Sequence, residues 1–416
     1  MSTQPIRRQV ESMKKSTWWL GLLAAASTFP AGAVNQEIRA LFQPDPAHPN
    51  KNVFINKTPS SGYCAIYPEQ CADNQVFSIE LPVRFTSSRF MTAGFPLSLK
   101  VPASWRQVTV TNQDTRETEI VEMRVTGIGS RFELSDSAAN LVGVSDILEG
   151  HQKLWTTSSW VYAPAPCQYS GVGAYSPTAY RFFWKTPVEA ACTKVAAYLI
   201  PGMVFPTLDF AYELRTPNPL RMSSGLYTGS LNYTLGPGGD FDVGSQMYPD
   251  DSLLTLNFVL DVQHTLKVDL PPGGNKVSLE PAGGWQSWLE SGRRPSRIYR
   301  DQPYYLSASS RFKVMMQCNS LGGTECHMGS PTGRSARVET TMTVPPGISG
   351  PGGADGWSGR LQYNTWIGPF QPVQYVDRKA GNLRFEIPER YFYSFLQPGV
   401  SDTLTGHITI IWDSEI

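Results

Sequence analysis

The chain has 416 residues, enough for two domains of ordinary size, and its 35 basic residues balance 35 acidic ones. A net charge of zero leaves no basic excess to hold a phosphate backbone, which argues against nucleic acid as a partner. With 36 Gly, 33 Pro and 12% aromatics, the composition favours short strands joined by tight turns over helices.

Residues 1–33 read as an export signal. Met13-Lys14-Lys15 supplies a positive n-region, residues 18–26 an apolar core, and Ala31-Gly32-Ala33 a small-residue cleavage site. The mature chain is expected to begin near Val34, with Met13 as a candidate start. The apolar run falls short of the roughly 20 residues that a membrane span needs.

Six cysteines lie beyond this leader: Cys64, Cys71, Cys167, Cys192, Cys318 and Cys326. The lack of a C-x-x-C spacing argues against zinc ribbons and thioredoxin-type redox chemistry. Structural bridges are the default in an oxidising compartment. Among the many connectivities that six cysteines allow, closeness favours Cys64–Cys71, Cys167–Cys192 and Cys318–Cys326.

Period-two alternation, the mark of a half-buried strand, recurs along the chain. It covers Phe77 to Phe85, Leu97 to Val101, Val121 to Val125, Tyr227 to Leu235, Val338 to Val344 and Leu383 to Ile387. Only Val188 to Ile200 reads as a helix, stopped by Pro201-Gly202. Many short strands with turns between them predict a β-sandwich class.

Aromatic residues crowd before and between the middle cysteines. Rings beside an arginine suit sugar or protein recognition, so Trp155, Trp160, Tyr169, Tyr175 and Arg181 are receptor-binding candidates. The competing reading is that these rings fill the core of a wide sandwich.

The turn-rich stretch from Gly236 to Asp240, then Tyr248 to Asp251, suggests a division into residues 34–248 and 249–416. Residues 254–270 come next, apolar at every even position except His264. At about 3.3 Å per residue this outruns the usual strand of roughly 3–10 residues. It is expected to bend near His264 and serve two sheets. The final residues repeat the pattern, with Ile408, Ile410, Trp412 and Ile416 on one face and His407, Thr409, Asp413 and Glu415 on the other. Terminal residues usually fray, so a strand here implies a structural role.

No H-E-x-x-H, G-x-S-x-G or P-loop motif occurs, and the five histidines do not stand at metal-ligand spacing. Asp240, Asp242, Asp250 and Asp251 lack the order of an EF-hand loop. No catalytic residue, metal or cofactor is expected. A secreted carbohydrate-active enzyme, which needs two carboxylates about 5–10 Å apart, is the least favoured alternative.

Three segments carry a resemblance: Gly225-Leu226-Tyr227-Thr228-Gly229-Ser230 through Asp242, residues 254–272, and the ending 406–416. They resemble the two-domain tip adhesins of chaperone–usher fimbriae, of the colonisation-factor type, while residues 34–220 match thinly. The resemblance implies an all-β chain of two β-sandwich domains. Residues 34–248 would form a receptor-binding adhesin domain, and residues 249–416 an incomplete immunoglobulin-like pilin domain that lacks its last strand. A periplasmic chaperone would lend that strand. At the outer-membrane usher an adjacent fimbrial subunit would replace it by β-strand addition. Leu256, Phe258, Leu260, Ile408, Ile410, Trp412 and Ile416 are the implied groove residues, with the Ile416 carboxylate anchored by the chaperone. The ending lacks the penultimate tyrosine of common pilins, and Gly406 lies nearer the end than the usual pilin glycine. The implied function is a non-enzymatic tip adhesin for a host glycan or protein receptor, carried through the periplasm to the fimbrium on the bacterial surface. A structural minor pilin that initiates assembly is the rival.

Overall fold

The computed structural model describes residues 34–171, 173–319, 321–322, 324–397 and 401–414. The export signal over residues 1–33 therefore lies outside the described residues, as do Glu415 and Ile416.

The chain is all-β in architecture, as its alternation predicts. The front half is framed by the strands β1 (Val34–Phe42), β2 (Arg106–Asn112), β3 (Thr118–Leu134), β4 (Ala179–Lys185), β5 (Leu208–Arg215), β6 (Gly225–Thr234) and β7 (Leu253–Val262). All belong to one large sheet that curls around a large core, with a smaller cluster of Tyr63, Cys64, Cys71, Phe183 and Ala211 apart from it. The spine is β3, with 17 residues. It pairs first with β2 and then with β4 along one edge, and with β5 along the other. Val121, Met123, Val125, Ile128 and Phe132 point from it into the core. On its other face Gly127 and Gly129 make room for the Phe183 ring, which a Cβ at either site would approach to 2.6 and 2.5 Å.

The long alternating stretch behaves as predicted. Leu254, Leu256, Phe258, Leu260 and Val262 are at most 1% exposed, because β7 lies between antiparallel β6 and parallel β1. The strand stops at Val262, and β8 (Leu266–Asp269) resumes in a different sheet. His264 holds the bend. Its Nε2 lies 2.8 Å from the Met222 carbonyl, its Nδ1 3.0 Å from Ser309 Oγ, and its ring 5.5 Å from that of Phe42. The change of sheet thus falls at residues 263–265, later than the expected division at 248/249. Turn residues mark hairpin ends as well as domain ends, and Gly236 to Asp240 closes back onto Thr234.

Behind the bend, further strands form two facing sheets: β9 (Arg297–Ala308), β10 (Phe312–Cys318), β11 (Ser335–Thr343), β12 (Trp366–Pro372), β13 (Val376–Pro388) and β14 (Ile408–Ser414). One sheet runs in the order β8–β9–β13–β11 and the other in the order β12–β10–β14. Tyr304, Leu306, Phe312, Val314, Met342 and Phe370 fill the space between them. This rear half is a β-sandwich.

The helix expected over Val188 to Ile200 is absent. Cys192–Val195 is a strand paired with Pro96–Leu99, and Ala196 bridges to Trp155. Pairing with the buried Leu97 and Leu99, together with the Cys167–Cys192 bridge, overrides the local alanine content. The disulfides Cys64–Cys71, Cys167–Cys192 and Cys318–Cys326 form as sequence proximity suggested.

Burial holds the His264 imidazole below its usual basicity, against the opposing pull of the Met222 carbonyl. The folded value is depressed, so the unfolded chain takes up this proton first. The stabilisation is complete above about pH 6.5 and is lost as pH falls through the folded-state value. His264→Ala should cost about 1–3 kcal/mol at pH 7.5. At pH 5 the difference from the unmodified protein should shrink, as measured by denaturant unfolding at the two pH values.

Candidate functional site

The first candidate is the outer edge of β14. This strand pairs antiparallel with β10 from Cys318↔Ile408 to Phe312↔Ser414, and no strand borders its other side among the described residues. Ile408, Ile410 and Trp412 lean on the rear core but stay half-buried. The contrast with β7 gives the cause. Both strands carry an alternating apolar face, but a neighbour on each side seals β7, whereas β14 has one neighbour and an open flank. Trp412 is fixed by rings 5.1 Å away at Tyr304 and 5.7 Å away at Phe312. Facing outward, Asp413 pairs with Lys313 at 3.3 Å, and that ammonium lies 4.8 Å from the Trp366 ring centre.

The end strand of the opposing sheet is β8, whose Leu266 and Val268 are also half-buried against the same core. Next to Ile408 lies a cavity of about 170 Å³, lined by Val277, Leu279, Val338 and Phe385 among others. The rear sandwich is therefore open beside the strand Ile408–Ser414. The amide and carbonyl groups along that flank can accept an added strand, and the apolar row beneath can receive its side chains.

Leu256, Phe258 and Leu260 do not belong to this site. They lie in the front core on β7, covered by β1 and β6. Alternation shows that a strand has an apolar face but not which sheet it joins. Ile416 lies outside the described residues.

The second candidate is the aromatic cluster, and the structure divides it. Trp155 and Trp160 are 2% and 0% exposed, so they are core residues and not surface anchors. Trp160 stacks on Trp184 at 5.0 Å and meets Phe132 at 5.2 Å, while its carbonyl accepts the Trp184 indole N–H at 2.7 Å. Arg181 is also unavailable. Its side chain is 11% exposed and its Nη1 donates to Asp209 Oδ2 at 2.9 Å, with Glu80 at 3.9 Å. Burial, with neighbouring Glu80 adding to it, pushes the Asp209 carboxyl up to about 7 even against the pull of Arg181.

Tyr169 and Tyr175, by contrast, are 53% and 48% exposed and line one pocket of about 390 Å³. Tyr162, 58% exposed, completes its rim with Gln152, and Tyr180 forms its buried wall. Strand register builds this wall. Tyr175 pairs directly with Tyr180 across the sheet, and their rings stack at 6.1 Å. The Tyr180 hydroxyl donates to Ser159 Oγ at 3.3 Å. Gly173 belongs to the lining, and a Cβ there would stand 2.6 Å from the Tyr180 ring.

Lys194 steadies this region from below. The side chain is fully buried, and its Nζ donates to the carbonyls of Thr157, Ser158 and Ser159 at 3.0–3.2 Å and to Thr157 Oγ1 at 3.2 Å. Burial lowers its pKa to about 8. The loop it clamps carries Ser159 and Trp160. Nothing in the local sequence signals this role, since a single lysine between Thr193 and Val195 has no motif.

No family model matches the chain, and no curated protein matches it. Among solved structures it is similar to a chaperone–tip adhesin complex of CFA/I fimbriae, at 10% identity and a TM-score of 0.27, covering 92% of this chain and 97% of that chain. It is also similar to CfaE, the adhesive subunit of CFA/I fimbriae of enterotoxigenic Escherichia coli, at 8% identity and a TM-score of 0.23, with 92% and 99% covered. A third similar structure is the CsuC–CsuE chaperone–tip subunit pre-assembly complex of Acinetobacter baumannii, at 10% identity and a TM-score of 0.21, with 92% and 99% covered.

Lys194→Met should leave the carbonyls of residues 157–159 without a donor and cost about 2–4 kcal/mol. Urea unfolding measures the loss, and tryptophan fluorescence should report a looser environment for Trp160.

Proposed function

We propose that the protein is a fimbrial tip adhesin that joins its fibre by accepting a strand along β14. One observation carries this reading: the strand Ile408–Ser414 has a ladder on one side only, over an apolar row that is only half covered. An edge of this kind aggregates or is degraded unless something fills it. Strand addition supplies what is missing, with backbone hydrogen bonds for affinity and side-chain pockets for register. The partners that fit are a periplasmic chaperone, then the outer-membrane usher and an adjacent fimbrial subunit, with the finished protein on the cell surface.

The nine residues of β1 pair with β7 and bury Ile38, Ala40 and Phe42 in the front core, so this strand is not itself a free donor. The open tyrosine pocket in the front half favours an adhesin over a purely structural initiator. The activity proposed is binding and not catalysis.

The protein produced alone should aggregate. Co-production with a chaperone, or addition of a peptide alternating apolar and polar residues, should give a soluble monomer in size-exclusion chromatography. A soluble, stable monomer without either would overturn the reading. Removing residues 406–416 should abolish recovery from the periplasm, because Ile408, Ile410 and Trp412 leave the core together. Undiminished yield of that truncated form would contradict the role given to this strand.

A further inference from the structure

We infer that the pocket formed by Tyr162, Tyr169, Tyr175 and Tyr180 binds a neutral pyranose, the unsialylated end of a host glycan. The inference rests on the adhesin reading and names the ligand class for its front half. Three observations carry it.

Size comes first. The pocket holds about 390 Å³, within the roughly 300–1,000 Å³ of small-ligand sites, and it is concave, which suits a sugar ring better than a flat protein face.

The second observation is the lining. Three tyrosine rings stand about half in solvent around a fourth that is fully buried and hydrogen-bonded to Ser159. Tyrosine offers a rigid face for the C–H side of a pyranose at low entropic cost, together with a phenol at its rim. Gln152, exposed at the rim, adds an amide for ring hydroxyls. The sheet sets the spacing of one ring pair, since Tyr175 lies opposite Tyr180 in register.

Charge is the third. Leu148 and Val161 complete an uncharged lining, and no charged side chain borders the pocket among the described residues. The nearby Lys153 is paired with Glu149 at 2.7 Å. A sialic acid carboxylate would have to shed water without a counter-charge, and that desolvation disfavours it. A neutral hexose meets no such cost.

The test is an array of neutral and sialylated oligosaccharides, probed with the full chain held soluble by chaperone or donor peptide. Neutral hexose-terminated glycans should bind, and their sialylated counterparts should bind at least about tenfold more weakly. Tyr169→Ala and Tyr175→Ala should each weaken neutral-glycan binding about tenfold or more without shifting the melting temperature, since both rings are half exposed. Tyr175→Phe should stay within about threefold, because the stacking face remains. Binding restricted to sialylated glycans, to a protein ligand, or to no glycan on the array would overturn the inference. So would neutral-glycan binding that ignores both alanine variants. The two readings fail separately. A blank array from a donor-completed monomer sinks the pocket and leaves strand acceptance intact. A protein that needs no donor strand, yet binds neutral glycans through these tyrosines, does the reverse.

Discussion

The one-sided hydrogen-bond ladder of β14 is the constraint on which the rear half depends. A strand inside a sheet satisfies its amides on both edges, and its side chains are covered by neighbours on both flanks. Here one flank is unpaired among the described residues. Ile408, Ile410 and Trp412 consequently stay half-buried although they belong to the same core as fully buried Phe312, Tyr304 and Phe370. On the strand-acceptance proposal, completion is a matter of backbone pairing, with selectivity left to how an incoming side chain meets the cavity beside Ile408.

The front half follows the opposite policy. Its long sheet curls until the apolar faces of β3, β4 and β7 meet over the main core, and tryptophan rings that composition alone leaves free for a ligand become its filling. Trp160, Trp184 and Phe132 lock against one another, Lys194 ties down the loop above them, and Arg181 is committed to Asp209. Tyr162, Tyr169 and Tyr175 remain at the surface around buried Tyr180. A recognition surface on regular strands keeps its ring spacing, whereas one on long loops would have to be ordered by its ligand.

Much of the fold is legible in the sequence because period-two patterning is a direct record of half-burial. Alternation from Leu254 onward marks a strand, and its excess length marks a bend at His264, where the chain does change sheets. The same alternation does not say which sheet each part joins, and so Leu256, Phe258 and Leu260 sit in the front core and not in the groove expected for them. Alanine content around Val195 suggests a helix, but strand pairing at Cys192–Val195 is decided by distant Leu97 and Leu99. In the aromatic cluster, composition supplies the rings and not their direction. Tyr180 and Trp184 point inward on β4, while Tyr169 and Tyr175 on short partner strands remain outside. Such assignments depend on register across the sheet, which no local window contains.

The parallel pairing of β1 with β7 bears on how the front half would resist a pull from the rear half. The connection between the two halves leaves directly from the end of β7, and β7 is flanked along its length by β1 and β6. Tension drawn along that connection would load both ladders lengthwise, so that many hydrogen bonds resist together instead of parting one after another like a zip. The arrangement that places these strands mid-sheet thus also makes the mooring point of the front half hard to tear out.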